Sequence, residues 1–441
     1  MELKGKRVMV VGLGVSGRAA ARFLEARSAA LLLTDKKTDL MTDGLPAGEV
    51  HLGVENPAWL KGVDLVVTSP GIPRDSVLLR EAQQRGIPVI GELELASNFV
   101  RAPIIGITGT NGKSTVTTMV GDMLKAAGKN VFVGGNLGTP LIEAADHEVD
   151  ALVIEVSSFQ LEWIEKFRAH VGIHLNLTDD HFERYRDLDD YGRAKARLFK
   201  NQGAGDFAIL NRDDPNVWKL RHTMRARVIG FGLSTPSAGG DAIWAGAEQI
   251  FFDLNGRRGR IDLARFKLPG RHNLGNAMAA AAAALAMELE PLAIEAGLAS
   301  FKPLSHRIEM VREWRGIKFI DDSKGTNVGA VVEALEAVRA PVILIAGGVD
   351  KGGDYAPLRK PLTEKVKLAI LIGAARDKMS AALDGSTSIE VVEKLAGAVS
   401  RAAEVAVAGD TVLLSPACSS FDQFKDYAQR GNLFKELVRA L

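Results

Sequence analysis

Nine short apolar runs recur along this chain, and each runs into Gly, Ser, Thr or Asp: RVMVVG, ALLLTD, DLVVTSPG, PIIGITG, ALVIEVSS, VGIHLNLT, PVILIAGG, LAILIG and TVLLSP. They are apolar at successive positions, not at alternate ones. Helical patterns separate them. A strand that is apolar on both faces must be covered on both faces, so the runs predict parallel sheets with helices on either side. That architecture places ligands at the carboxyl ends of the strands, where backbone N–H groups and loop side chains are free to meet them. Almost all the unusual polar residues of this chain stand at those ends.

At 441 residues the chain is too long for one ordinary core, and about three domains are expected. One boundary is expected near ELELASNFVRAP at 92–103 and another near SFKPLSHR at about 300–306. Between 226 and 267 the texture changes to short alternating runs split by SAGG and NGRRG, which predicts an antiparallel excursion. A net charge of +1 gives no electrostatic footprint for nucleic acid. Cys418 is the only cysteine, so there is no internal disulfide framework, and a reducing compartment fits. With no base identifiable beside it, Cys418 reads as a structural thiol. MELKGKRVMVVGLG reads as a strand and not as a signal peptide. The Ala-rich stretch 277–287 is too short to span a bilayer. A cytoplasmic protein with no membrane or nucleic-acid partner is expected, with a monomer as its assembly.

Two glycine-rich turns compete for a nucleotide. GLGVSG at 12–17 fits G-x-G-x-x-G, and Asp35 closes the next strand in LLLTDKK, as in a dinucleotide fingerprint. A tight strand-to-helix turn would need the same glycines for packing alone. GITGTNGKST at 106–115 has the lysine and hydroxyl of a phosphate loop, but its leading glycine, Gly109, stands three before Gly112 and not five. Its context is still strand, turn, helix. Gly109, Thr110, Asn111 and Gly112 would turn N–H groups toward an anion, Lys113 would reach the outer phosphates, and Ser114, followed by Thr115, would offer a hydroxyl to Mg²⁺.

Further along, ALVIEVSS ends in Glu155. A carboxylate at a buried strand end is costly unless it caps, pairs or binds a metal, and all three remain open. VGIHLNLTDDHFERY delivers Asp179, Asp180 and His181 to the same edge. Magnesium prefers oxygen ligands, so a histidine beside a glutamate and a loop serine is an atypical metal candidate.

ITGTNGKST, EVSSFQLE, NLTDDHFERY, YGRAKARLF, LPGRHNLGNAMAA, LSHRIE, DDSKGTN, IAGGVDKGGD and LLSPACSSFDQF occur in this order. Together they resemble the Mur ligases over essentially the whole chain, in the branch that adds D-glutamate to UDP-N-acetylmuramoyl-L-alanine. DDSKGTN and SPACSSFDQF are the most specific of these motifs. The short G-x-x-G-K-[ST] loop is that family's own form, which accounts for the odd spacing.

The resemblance implies an α/β protein of three domains, each on a mostly parallel sheet. The limits would be 1–93 for a Rossmann-like UDP-sugar domain, 94–302 for a P-loop ATPase-like domain, and 303–441 for a Rossmann-like amino-acid domain. It implies ATP, two Mg²⁺ ions and a carbamylated Lys195. Val15, Ser16, Asp35, Lys36, Lys37, Ser69, Gly71 and Asn136 would serve the UDP-sugar. The loop 109–115, Asn273, Asn276, Arg307 and Asp322 would serve ATP. Ser114, Glu155, His181 and Lys195 would serve the metal. Thr326, Lys351, Ser420, Phe421 and Tyr427 would serve D-glutamate. Lys113, His181, Lys195, Arg307 and Lys324 would carry the chemistry.

Other readings leave residues unexplained. A nicotinamide oxidoreductase would use GLGVSG but not GKST or DDSKGTN. Folylpolyglutamate synthetase should lack the first ninety residues. A P-loop kinase would need the longer loop. A sibling Mur ligase that adds another amino acid, and a non-catalytic UDP-sugar sensor, are the remaining alternatives.

Overall fold

The structure, a computed structural model, describes every residue except 137, 238 and 269. Its strands form three sheets in an α/β fold. The first contains β1 (Arg7–Val11), β2 (Ala30–Asp35), β3 (Glu49–Leu52), β4 (Leu65–Thr68) and β5 (Val89–Gly91), in the order β3-β2-β1-β4-β5 and parallel throughout.

The second contains β6 (Ile104–Thr108), β7 (Val131–Gly135), β8 (Ala151–Glu155), β9 (Val171–His174), β10 (Phe207–Asn211), β11 (Arg227–Gly232), β12 (Ala242–Ala245), β13 (Gln249–Leu254) and β14 (Arg257–Asp262). Its order is β14-β13-β12-β11-β10-β9-β6-β8-β7. The antiparallel excursion expected over 226–267 is confined to β12, β13 and β14, because β11 still pairs parallel with β12.

The third sheet holds β15 (Glu309–Trp314), β16 (Ile317–Asp321), β17 (Val342–Gly347), β18 (Val366–Ile372), β19 (Ser388–Val391) and β20 (Thr411–Leu414), in the order β15-β16-β20-β17-β18-β19. Only β15 pairs antiparallel.

By compactness the chain divides into two units. One comprises Met1–Asn176, Tyr191–Phe266 and Asn276–Phe301, and carries the first two sheets. The other comprises Leu177–Asp190, Lys267–Gly275 and Lys302–Leu441, and carries the third.

The doubly covered sheet is plain in β17. Val342, Leu344 and Ala346 join a core with Val331 and Leu335 of the helix Val328–Ala337. The intervening Ile343 and Ile345 join a second core with Val399 and Ala402 of the helix Leu395–Val405 and with Phe434 and Val438 of the helix Tyr427–Ala440. Side chains alternate across a strand, so both phases must be apolar when helices lie on both faces. Each such Ile or Leu contributes roughly 1.5–3 kcal/mol when fully buried.

In the central sheet the helix Lys113–Ala126 lies against the helix Pro291–Ser300 so closely that a Cβ at Gly297 would fall 2.5 Å from Met123 Cα. That contact braces the helix that opens on the GKST loop.

The helix Glu92–Ser97 follows β5 and buries two carboxylates. Glu94 accepts hydrogen bonds from the backbone N–H groups of Glu165, Lys166 and Phe167. Glu92 has less: its Oε1 accepts one from Ile142 N at 2.8 Å, while Oε2 has no partner. Burial, with the nearby Glu143 adding to it, pushes the Glu92 carboxyl up to about 7.

Between its ordinary value of 4.5 and about 7, the folded chain holds a proton that the unfolded chain has released. The native state therefore loses stability as pH rises through that window. Glu92→Gln is expected to flatten this dependence and to gain on the order of 2 kcal/mol above it. Urea midpoints measured from pH 5 to 8 check this. Parallel profiles for the two proteins would rule it out.

Candidate active site

In the central sheet β9, β6, β8 and β7 are successive neighbours, so their carboxyl ends share one edge. The loop after β6 turns through Gly109 (φ +150°) and Gly112 (φ +83°). A Cβ at Gly112 would lie 2.4 Å from Asn276 Oδ1, so the turn needs glycine for space as well as for its dihedral angle. Lys113 begins the helix and folds back, donating to the carbonyls of Gly109 at 2.9 Å and Thr110 at 2.7 Å. Lys195, almost fully buried, donates to the same Gly109 carbonyl at 2.8 Å and stands 4.4 Å over the Tyr191 ring. The loop thus has a helix N-terminus and two ammonium groups around one cradle, the fittings of an anion site.

Glu155, buried at the end of β8, accepts a hydrogen bond from Ser114 Oγ at 2.6 Å and another from Asn136 Nδ2 at 2.7 Å. A serine hydroxyl and a carboxylate in contact beside a glycine turn and a helix N-terminus form an oxygen pair that fits a hard cation. The structure thereby joins Asn136, which the sequence reading assigned to the UDP-sugar, to Ser114 and Glu155, which it assigned to the metal.

Asn176, which that reading passed over, braces the loop. Its carbonyl takes Thr110 N–H at 3.0 Å, its Oδ1 takes Asn111 N–H at 2.8 Å, and its Nδ2 donates to Asn111 O at 3.2 Å. The only local signal was its place just past the end of β9.

In the first sheet the ends of β2, β1 and β4 are neighbours. Asp35 accepts from Leu13 N–H at 2.7 Å and from Lys37 N–H at 2.9 Å. Ser69 Oγ donates to Gly12 O at 2.7 Å. A Cβ at Gly17 would fall 1.8 Å from that same Gly12 oxygen, so the third glycine of GLGVSG answers a packing demand whatever the ligand. Lys36 pairs with Glu55 at 3.3 Å, and Val15 is exposed. Ser16 lies in the first turn of the helix Val15–Ala26, and Gly71 lies in the exposed loop after β4.

The second unit has its own cluster at the adjacent ends of β16, β20 and β17. Lys351 Nζ lies 3.1 Å from Asp180 Oδ1 and 3.4 Å from Thr326 Oγ1, and Asn327 Nδ2 donates to Asp180 Oδ2 at 3.2 Å. His181, at φ +59°, has Nδ1 3.0 Å from Glu183. Paired backbone hydrogen bonds between Val349 and Ser419 hold the Lys351 loop against the loop of Ser420. Ser420 is buried and Phe421 exposed. Lys324 Nζ stands 5.3 Å from the Tyr427 ring centroid.

Asp322 is buried and accepts from Ser415 Oγ at 2.6 Å. Burial pushes its carboxyl up to about 7 against the pull of that hydrogen bond and of Arg307. Asn273 falls in this unit and Asn276 in the other.

Sequence reading also missed Arg430. Fully buried on the helix Tyr427–Ala440, it donates to Ser323 Oγ, Ser323 O and Cys418 O, and ties two of these loops together. Cys418 is buried 3.3 Å from Tyr355 Oη, and burial pushes its thiol up to about 11, which agrees with a structural thiol.

Three family descriptions match in succession: the N-terminal domain of MurD-like Mur ligases over 6–91, the Mur ligase middle domain over 107–284, and the Mur ligase glutamate ligase domain over 306–418. A protein of Geotalea daltonii called UDP-N-acetylmuramoylalanine–D-glutamate ligase is 46% identical over 451 aligned positions, covering 100% of this chain and 99% of that one. The chain belongs to the Mur ligases.

A Pelotomaculum thermopropionicum Mur ligase of the same name is 44% identical across 99% of this chain and 98% of its own. Among solved structures, a pseudomurein peptide ligase type C from Methanothermus fervidus superposes with a TM-score of 0.64 at 19% identity, covering 99% of this chain and 100% of that one. That likeness extends to the Mur ligase fold alone. No helix among the described residues is long and apolar enough to cross a membrane.

Lys113→Ala removes an ammonium group from the cradle. It is expected to lower phosphate release from ATP by at least about a hundredfold, as loss of a charge-stabilising donor does. UDP-sugar affinity measured by calorimetry should survive, because GLGVSG belongs to a different sheet. Equal loss of both in a folded variant would mean that the two sites are not separate.

Proposed function

We propose that this Mur ligase joins D-glutamate to UDP-N-acetylmuramoyl-L-alanine, using ATP and passing through an acyl phosphate, in cytoplasmic synthesis of peptidoglycan precursors. We further propose the domain limits 1–93, 94–302 and 303–441, and a monomer as the working assembly. The observation that carries the reading is the pair of polar strand edges: a phosphate cradle with Lys113, Ser114 and Glu155 at one, and Thr326, Lys351 and Ser420 at the other. Full-length similarity to D-glutamate ligases supports the choice of acceptor.

The chemistry follows from the groups involved. A carboxylate is a poor electrophile, and phosphorylation gives its carbon a good leaving group. An amine then attacks, and the tetrahedral adduct expels phosphate. The loop N–H groups from Gly109 to Gly112 would hold the phosphates, and Lys113 would offset charge on the group in transfer. Magnesium, for which Ser114 and Glu155 are the fitting oxygen donors, would add Lewis-acid stabilisation of that group. Two ions are proposed. An acceptor with two carboxylates needs two anion places. Lys351 is a compact charge suited to one, and the hydroxyls of Thr326 and Ser420 with nearby N–H groups suit the other.

Lys195 is proposed to be carbamylated. An ammonium group would repel a bound cation, whereas a carbamate supplies an anionic oxygen. Enzyme depleted of CO₂ should lose activity and regain it on addition of bicarbonate. Full activity of Lys195→Ala under depletion would remove the proposal.

The acceptor is tested by ligation assays with D-Glu, L-Glu, L-Lys, meso-diaminopimelate and L-Ala. D-Glu should be the preferred substrate, and preference for another would make this a sibling ligase. Lys351→Ala should raise the KM for D-Glu far more than that for ATP. The reverse order would move Lys351 to the nucleotide site.

A further inference from the structure

His174 ends β9 and is completely buried, and neither of its ring nitrogens has a hydrogen-bond partner. An imidazole always carries at least one N–H, and leaving a buried polar group unmet costs roughly 1–3 kcal/mol. An aliphatic residue would fill the position without that cost. The ring's surroundings indicate what is missing.

Gly172 precedes His174 by two residues. A Cβ there would lie 2.8 Å from the Phe199 ring, and one at Gly106 on neighbouring β6 would lie 2.9 Å from Leu198. The segment Arg197–Phe199 therefore rests directly on this face of the sheet, immediately after the helix Leu188–Ala196 that carries Lys195. Side chains two apart on a strand share a face, so His174 points to the side of the sheet where Lys195 lies. The pairing of strands agrees. His174 stands opposite Thr108, and the next residue, Gly109, offers the carbonyl that Lys195 grips. Burial first, and then the fields of Lys195 and Lys113, push the His174 pKa down to about 3. A neutral imidazole has one donor nitrogen and an imidazolium has two, so the ring offers an N–H in either state.

We propose that His174 is a positioning residue that donates its ring N–H to the carbamate carried by Lys195. This rests on the carbamylation of Lys195 proposed above. In that reaction the uncharged amine of Lys195 attacks the carbon of CO₂. An N–C bond forms, one C=O π bond opens, and an amine proton leaves to solvent. The cation is replaced by a monoanion with two acceptor oxygens. The orphaned imidazole N–H then has an acceptor, and two cations no longer crowd the Gly109 carbonyl.

The test follows the modification itself. Full-length enzyme is titrated with ¹³C-bicarbonate, and the carbamate carbon is observed by NMR, with Lys195→Ala as the blank. His174→Ile keeps the bulk and removes the donor. It should need about tenfold more bicarbonate for half-maximal signal, the worth of a hydrogen bond to a charged group. His174→Asn, which keeps an N–H, should recover much of that loss. Each variant's thermal midpoint shows that it is folded, and His174→Leu, which also lacks the donor, carries the comparison if the isoleucine variant is not. The same half-saturation in wild type and in the folded variants would overturn the role of His174 while leaving the modification standing. No signal from wild type above the blank would overturn both.

Discussion

Two lysines meet at one carbonyl oxygen. Lys113 reaches Gly109 O at 2.9 Å and Lys195 reaches it at 2.8 Å, so their nitrogens lie less than 6 Å apart. At an effective dielectric constant near 20, two ammonium groups at that separation repel by roughly 3 kcal/mol. Their joint field also helps to keep His174 neutral. A cradle loaded in this way favours anions, whether a phosphate between the loop N–H groups or an anionic carbon unit on Lys195. Much of the central sheet serves this arrangement. Gly112 yields space to Asn276, Asn176 pins the loop from the next strand, and the helix behind it is braced at Met123 by Gly297.

The same physical device appears in the second unit with different residues. There Lys351 meets Asp180, Thr326 lies beside it, and Arg430 in the interior ties the Ser323 turn to the Cys418 loop. In both places a parallel sheet supplies a rigid edge and long-range hydrogen bonds set the loops on it. Rigid strands hold the charged groups at fixed separations, and a ligand then meets its donors without first ordering them.

Local pattern was enough for the fold class and for the strand–turn–helix form of the GKST segment. Each of the nine apolar runs coincides with a strand, because a strand covered on both faces cannot hide its composition. Of the strands that the pattern missed, β3 has Glu49 and Val50 in solvent and β5 has only three residues, whereas β10 and β16 are mostly buried. The glycines of GTNGK are legible for a similar reason, since a backbone at positive φ admits few other residues. GLGVSG was legible as a turn but not as a specificity, since the 1.8 Å approach at Gly17 would demand glycine under any ligand.

Tertiary structure alone decided the partnerships. Glu155 joins Ser114 to Asn136, Asn176 holds a loop 65 residues away in sequence, and Arg430 reaches back 107 residues to Ser323. His174 passes in the sequence as one more residue of an apolar strand. It becomes an orphaned imidazole only when strand order sets β9 beside β6 and the segment that follows the helix of Lys195 settles on Gly106 and Gly172. Apolar alternation and glycine placement are imposed residue by residue by the backbone, and so they are written in the sequence. Which side chain meets which depends on the order of strands in a sheet and the seating of helices upon it, and no local run of residues encodes that.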